Sequence, residues 1–153
     1  MGTATRAESP STSSVARPVW QSPVFVTGGS GFVGGALVDH LVASGADVRA
    51  LARSQESADI VATKGATTID GDVEDRVALV SGMSGCAVVF HVAGVNIMCP
   101  ADPGALSRTN VDGGRMVVDA AAEAGVRRMG LPSSAATVGE GDGTGATAET
   151  AHT

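Results

Sequence analysis

Three glycines spaced three residues apart stand where an apolar run gives way to a helical pattern. They are Gly28, Gly31 and Gly34, and they follow Thr27 directly. A helix that begins here offers unpaired amide hydrogens and a partial positive charge to an anion. The spacing predicts a site for the pyrophosphate of a dinucleotide: Gly28 allows the tight turn, Gly31 the close approach of the phosphate, and Gly34 the packing of the helix against the strand.

A second chemical feature ends the next apolar run, where Ala52 is followed by Arg53. A carboxylate at this point would accept hydrogen bonds from the adenine ribose and repel a 2′-phosphate, whereas a guanidinium binds phosphate through paired, charge-assisted hydrogen bonds. We therefore expect Arg53 to favour NADP, with Ser54 as an additional donor and NAD as the alternative cofactor. A solvated surface arginine is the competing interpretation.

The elements that would position these residues alternate along the chain. Apolar, β-branched runs predict strands, and stretches with helical spacing predict helices. We expect strands at 24–27, 47–52, 66–70, 86–93 and 126–133, and helices at 32–43, 55–64, 74–83 and 106–124. Such alternation is typical of an α/β fold with a doubly wound parallel sheet (Rossmann fold). The expected strand order is 3-2-1-4-5, with a ligand site at the carboxyl ends of strands 1 and 4.

The two ends of the chain differ from the middle, because they are rich in small and polar residues and lack apolar periodicity. We expect a disordered tail over 1–22, a dinucleotide-binding domain over 23–139, and a loop or disordered end over 140–153. The fifth predicted strand contains Gly130 and Pro132, and proline cannot donate to a sheet ladder. With no further strand predicted, this strand would be an open edge that invites self-association.

Composition excludes several classes of function. The net charge of −6 and the pI of about 4.8 argue against binding to nucleic acid or to an anionic membrane. No apolar run is long enough to span a bilayer. Cys86 and Cys99 are the two cysteines, which we interpret as reduced thiols in a cytoplasmic protein. No spacing of His, Cys, Asp and Glu indicates a metal site.

Other candidate residues have plain structural interpretations. Gly29 and Gly35 have no clear phosphate role, and relief of crowding explains either of them. We interpret His40 and His91 as structural rather than catalytic. Cys99 as a nucleophile lacks a paired base in view, so we set it aside.

Five motifs in order make the chain similar to the extended short-chain dehydrogenase/reductase family, also called the NAD-dependent epimerase/dehydratase family. Besides the glycine turn they are GDVED at 71–75, FHVAG at 90–94, NVDGG at 110–114 and SSAATVG at 133–139. The stretch VRALAR at 48–53 resembles that of the branch containing dihydroflavonol reductase and 3β-hydroxysteroid dehydrogenase-like enzymes. In the reductase, the arginine at this position binds the phosphate of NADP.

The resemblance implies roles for residues in each motif. Asp72 would accept a hydrogen bond from the adenine amino group, Val73 would pack on the adenine ring, and Asn110 would tie together the neighbourhood of the fourth and fifth strands. The complete set of expected cofactor-binding residues is Thr27, Gly28, Gly31, Phe32, Val33, Gly34, Arg53, Asp72, Val73, Val92, Ala93, Gly94 and Asn110.

For catalysis the resemblance implies a Tyr-x-x-x-Lys pair and a serine, which is Ser134 here with Ser133 as second choice. The chain contains no Tyr, and its single lysine is Lys64. We therefore expect an NAD(P)-dependent oxidoreductase, epimerase or dehydratase, of which this chain supplies the cofactor domain and the serine. It would be truncated before the later strands and the substrate lobe, and inactive alone. A non-catalytic NAD(P)-binding module and an inactive truncated product are the alternatives, and the small-molecule substrate is left open.

Overall fold

A computed structural model describes residues 23–96, 102 and 104–133. Five parallel strands in this part of the chain form one sheet of order β3-β2-β1-β4-β5. The strands are β1 (Val24–Thr27), β2 (Val48–Ala52), β3 (Thr67–Asp70), β4 (Val88–His91) and β5 (Arg128–Gly130). The predicted fold class, a Rossmann-type sheet, and its strand order are confirmed.

Helices connect the strands and cover both faces of the sheet. They are α1 (Phe32–Ala43), α2 (Gln55–Thr63), α3 (Arg76–Met83), α4 (Gly104–Ser107) and α5 (Gly113–Glu123), with a π-helical turn (Arg108–Asp112) between the last two. The prediction of one continuous helix over 106–124 is therefore wrong at this turn. Gly113 follows the turn and is buried, and a Cβ on it would lie 2.7 Å from Cγ2 of Val73. Close packing against Val73 thus accompanies the irregular backbone.

The hydrophobic core has two parts, one on each face of the sheet. One part lies among β1, β2, α1 and α2 and includes Val24, Val26 and Val61. The other lies against α3 and α5 and includes Phe25 and Val117. Strand β1 contributes alternate residues to both parts, and all four of its residues are buried. A continuous apolar run in the sequence is what such a doubly covered strand requires.

Four strands are shorter than predicted: β2 and β3 each begin one residue later, and β4 and β5 are shorter at both ends. The early ends of β4 and β5 have a local cause. Strand β4 ends at His91 because the amide of Ala93 donates to the side chain of Thr27 instead of to a neighbouring strand. Strand β5 ends at Gly130, before Pro132, whose nitrogen carries no hydrogen to donate. Gly130 also makes room for Phe90, because a Cβ there would lie 2.6 Å from Cδ1 of the ring.

The predicted tail over 1–22 and the predicted end over 140–153 lie outside the described residues. Among the residues that are described, no helix is long and apolar enough to cross a membrane. The same part of the chain contains no group of three His, Cys, Asp or Glu side chains that could hold a metal ion.

Candidate functional site

A crevice of about 220 Å³ opens at the carboxyl ends of β1, β2 and β4, where the strand order reverses. Seven of the predicted cofactor residues line it: Gly28, Gly31, Arg53, Asp72, Val73, Ala93 and Gly94. Six further residues line it that the sequence interpretation did not assign to the cofactor: Ser30, Leu51, Ser57, Gly71, Val95 and Thr109. The position agrees with the ligand site expected for a doubly wound sheet.

The glycine turn after β1 is packed too tightly for larger residues. Gly28 has φ of +73°, and a Cβ on it would lie 2.5 Å from the backbone nitrogen of Ala93. A Cβ on Gly34 would overlap the carbonyl oxygen of Gly28 and lie 2.7 Å from its carbon. The predicted close packing at residue 34 is therefore present, and its partner is the turn itself. A Cβ on Gly29 would lie 3.2 Å from Cγ2 of Val38, which supports relief of crowding there, whereas a Cβ on Gly35 would lie nearest to the flexible end of Lys64, at 3.3 Å.

The N-terminus of α1 has no side-chain cap. Its N-cap residue is Gly31, and its first turn contains no acidic residue. By contrast, Ser54 Oγ accepts from the Ser57 amide at the start of α2 (3.2 Å), and Asp75 Oδ1 accepts from the Ala78 amide at the start of α3 (3.0 Å). Amides left without a cap at a helix start bind water or an anion. Among these three helices, α1 is thus the one prepared for a phosphate.

Arg53 is exposed at the end of β2 and lines the crevice together with Ser57. No ion pair between Arg53 and another described residue is present. Ser54, the expected second donor, has its side chain engaged in a capping box with Ser57, whose hydroxyl donates to the Ser54 carbonyl (2.8 Å). The structure therefore brings Ser57, which the sequence interpretation did not assign, to the crevice beside Arg53.

Asp72 and Val73 form the wall of the crevice next to β3. Gly71 precedes them with φ of +152°, and Asp72 Oδ1 accepts from the amide of Val73 (2.6 Å). Val73 is buried and belongs to the core beside α3 and α5. Its side chain is thus fixed by packing on one side while it lines the crevice on the other.

Thr27 does not line the crevice, but it forms a hydrogen bond with Ala93, which does. The side chain is fully buried, and its Oγ1 lies 2.7 Å from Nδ1 of His91. The same oxygen accepts from the amide of Ala93 at 3.2 Å. Burial lowers the pKa of His91 below its ordinary value of 6.5, so the neutral imidazole is favoured.

Asn110, in the π-helical turn, holds the segment that follows β4. Its Oδ1 accepts from the amide of Val95, and its Nδ2 donates to the carbonyl of Val95, both at 2.8 Å. Val95 lines the crevice. Asn110 thus joins the π-helical turn to the backbone of Val95, in the segment that follows the fourth strand.

Some predicted residues lie elsewhere. The side chains of Phe32 and Val33 are 97% and 60% exposed, and neither lines the crevice. Val92 lines a larger groove of about 820 Å³ between α5 and the ends of β4 and β5. Ser134 and Cys99 lie outside the described residues, and Ser133 is exposed just after β5.

Comparison with families of known proteins gives a match to the model described as the NAD dependent epimerase/dehydratase family, over residues 24–153. A ketoreductase of Stigmatella aurantiaca that acts on 4-hydroxy-2-methyl-3-oxo-4-farnesyl-3,4-dihydroquinoline-1-oxide is 44% identical over 76% of this chain and 35% of its own length. A protein of Synechocystis sp. with the provisional name dihydroflavonol 4-reductase is 42% identical over 78% of this chain and 35% of its own.

A solved structure shares this fold. It is a short-chain dehydrogenase/reductase superfamily protein from Agrobacterium tumefaciens with bound NAD, which is 35% identical and superposes with a TM-score of 0.61. The match covers 72% of this chain and 32% of that protein. The chain therefore spans about a third of the length of each of these three proteins.

Proposed function

The chain belongs to the NAD-dependent epimerase/dehydratase family, and from that membership we propose that it is the nicotinamide-dinucleotide-binding domain of an oxidoreductase. The observation that carries the proposal is the start of α1, which has no side-chain cap and lies at the crevice. The tight packing of Gly34 on Gly28 holds it there. Backbone amides in this arrangement bind a pyrophosphate without any charged side chain.

We assign residues along the crevice to the two halves of a dinucleotide. Gly28 and Gly31 would hold the pyrophosphate. Asp72 and Val73 would hold the adenine, and Gly94 would border the nicotinamide. When bound, the nicotinamide ring supplies the chemistry of hydride transfer. The other six predicted cofactor contacts do not line the crevice and stay predictions: Thr27, Phe32, Val33, Gly34, Val92 and Asn110.

We propose NADP as the preferred cofactor, with NAD as the alternative. The support is Arg53, an exposed cation at the crevice that follows Ala52, the last residue of β2, so that this strand does not end in a carboxylate. A guanidinium in this place stabilises a 2′-phosphate through charge-assisted hydrogen bonds. The Agrobacterium tumefaciens protein holds NAD, which supports NAD as the alternative.

For the whole protein we propose reduction of a carbonyl group in a small-molecule substrate. The names of two relatives, a ketoreductase and a dihydroflavonol 4-reductase, support this reaction over epimerisation or dehydration. Ser134, with Ser133 as second choice, stays the predicted serine that donates a hydrogen bond to the substrate oxygen. The cytoplasmic location and self-association through the free edge of β5 also stay predictions.

Calorimetric titration of the folded chain with NADPH and with NADH tests the proposal. We expect both to bind, and NADPH to bind more tightly. Adenosine monophosphate, which lacks the pyrophosphate, serves as the control ligand and should bind much more weakly. Absence of heat and of any fluorescence change with both dinucleotides, on protein with a cooperative unfolding transition, would contradict the proposed function.

A further inference from the structure

His91 is a buried titratable side chain that the proposed function does not use. It pairs with Thr27 across β4 and β1, and its Nδ1 lies 2.7 Å from the Thr27 hydroxyl oxygen. We propose that His91 is a positioning residue: it orients the Thr27 hydroxyl to receive the Ala93 amide, and so fixes the distance between the two walls of the crevice. The inference rests on the proposed function for its effect on dinucleotide binding.

The hydrogen-bonding capacity of the Thr27 hydroxyl determines which atom carries the imidazole proton. A hydroxyl has one hydrogen and two lone pairs, and one lone pair accepts the Ala93 amide (3.2 Å). If the hydroxyl donates to Nδ1 of His91, its hydrogen is also satisfied, and the imidazole proton lies on Nε2. If Nδ1 donated instead, the hydroxyl hydrogen would be buried without this acceptor, which costs free energy. We therefore assign the neutral tautomer with its proton on Nε2.

The bond from Ala93 to Thr27 matters because it joins the two walls of the crevice. Thr27 holds the segment after β4 at two points, since its carbonyl accepts from the amide of Val92 (3.2 Å) and its hydroxyl from Ala93. Gly28, the next residue, lies so close that its absent Cβ would be 2.5 Å from the Ala93 nitrogen. Gly28 and Ala93 both line the crevice. A loosened Ala93 would therefore change the width of the crevice at the glycine turn.

The surroundings of His91 contain little else that could orient it. On α5, Gly114 lies beside the ring, and a Cβ there would be 3.6 Å from Nε2. The charged groups that line the neighbouring groove together with His91 are Arg115 and Asp119, both on α5. No hydrogen bond joins His91 to either of them in the described part of the chain. Thr27 is thus the group that sets the orientation of the ring.

Two amide substitutions separate this role from simple packing. Asparagine places an oxygen at the δ position, where Nδ1 stands, whereas glutamine places its polar atoms one bond further out. We expect His91→Gln to weaken NADPH binding about tenfold, as loss of one buried hydrogen bond would. His91→Asn should keep most of the affinity of the parent chain for NADPH, because its Oδ1 can accept from the Thr27 hydroxyl. His40→Gln, the same change at an exposed histidine of α1, is the control.

A double-mutant cycle tests the coupling of the two side chains. Thr27→Val removes the hydroxyl with little change of shape, and it should weaken NADPH binding to a similar extent as His91→Gln. The combined variant should be no weaker than either single one, because both changes break the same chain of hydrogen bonds. Additive losses, or equal affinity of His91→Gln and the parent chain, would overturn the inference.

Nuclear magnetic resonance of the parent chain tests the hydrogen-bond arrangement without any ligand. Long-range proton–nitrogen spectra should show the His91 proton on Nε2, and the Ala93 amide should exchange slowly with solvent. A proton on Nδ1, or rapid exchange at Ala93, refutes the inference even if the variants fail to fold. Failure of the parent chain to bind NADPH and NADH would instead contradict the proposed function, and the tautomer and the exchange rate would still decide the role of His91.

Discussion

Gly34 packs directly on Gly28, so that a Cβ at residue 34 would overlap the Gly28 carbonyl oxygen. The contact joins the first turn of α1 to the turn that leaves β1. It fixes the start of the helix relative to the end of the strand, and the crevice begins at this junction.

Gly34→Ala should therefore destabilise the fold, whereas Gly35→Ala should not. At residue 34 the overlap is with backbone, so the helix must shift, and such overpacking costs about 1–3 kcal/mol. At residue 35 the nearest atom is Cε of Lys64 at 3.3 Å, the far end of a flexible side chain. Alanine also favours a helix interior by about 1 kcal/mol. Urea unfolding of both variants measures the difference, and equal stabilities would contradict the account of the turn.

Arg53→Ala should reduce the affinity for NADPH and leave the affinity for NADH nearly unchanged. Its guanidinium is exposed at the crevice, and a charge-assisted hydrogen bond contributes about 1.5–3 kcal/mol, which corresponds to roughly a tenfold to hundredfold loss. Arg127→Ala, at an exposed arginine that does not line the crevice, is the matched control. An equal loss for both cofactors would show that Arg53 does not recognise the extra phosphate.

The stability of the fold should fall in mild acid because of His91. Burial lowers its pKa in the folded chain, so the unfolded chain binds a proton first as the pH falls below the ordinary value of 6.5. The stabilisation of the fold by the neutral, buried His91 is present above that pH. It is lost as the pH falls from 6.5 to the lower pKa of His91 in the folded chain. The urea midpoint of the parent chain should drop more than that of His91→Asn between about pH 7 and 5. Parallel profiles of the two proteins would be evidence against this assignment.

Asn110→Asp should weaken the bonding of residue 110 to the Val95 backbone, in the segment after β4, because one atom of the side chain changes. The amide nitrogen that donates to the Val95 carbonyl becomes an oxygen, so one bond of 2.8 Å turns into a repulsive contact. Loss of such a bond costs about 1 kcal/mol, and the unpaired charge adds to it. A lower unfolding midpoint is expected, while the bond from the Val95 amide to Oδ1 is kept. Asn96→Asp, on an exposed asparagine, provides the comparison.

Much of the fold could be predicted because its signals are local. The apolar run at Val24–Thr27 has the composition of a strand covered on both faces, and all four residues are buried. The turn at Gly28 was predictable from the glycine spacing, because its positive φ and its contact with Ala93 both exclude larger residues.

The π-helical turn at Arg108–Asp112 could not be predicted in the same way. Its apolar spacing is close to that of an ordinary helix, and what sets it apart is the pairing of Asn110 with the backbone of Val95, 15 residues away. The exposure of Phe32 is a similar case. The resemblance made it an expected cofactor contact, whereas its place at the first position of α1 leaves it 97% exposed and away from the crevice.

The role of Ser54 depends on a neighbour that the sequence interpretation did not consider. The sequence suggested a phosphate donor, and the structure shows a capping box with Ser57. A serine three residues after another at a helix start is a signal that could have indicated it. The contact of Thr27 with His91 spans 64 residues, and no local pattern indicates it.

Strand β1 is shared by the two halves of the core, with Phe25 in one and Val24 and Val26 in the other. If the helices on either face of the sheet separated from it, apolar side chains of β1 would be exposed to water. The molecule should accordingly melt in a single cooperative step, with the amides of Val24–Thr27 among the last to exchange their hydrogens. Two separate transitions in a calorimetric scan would mean that the halves are energetically independent.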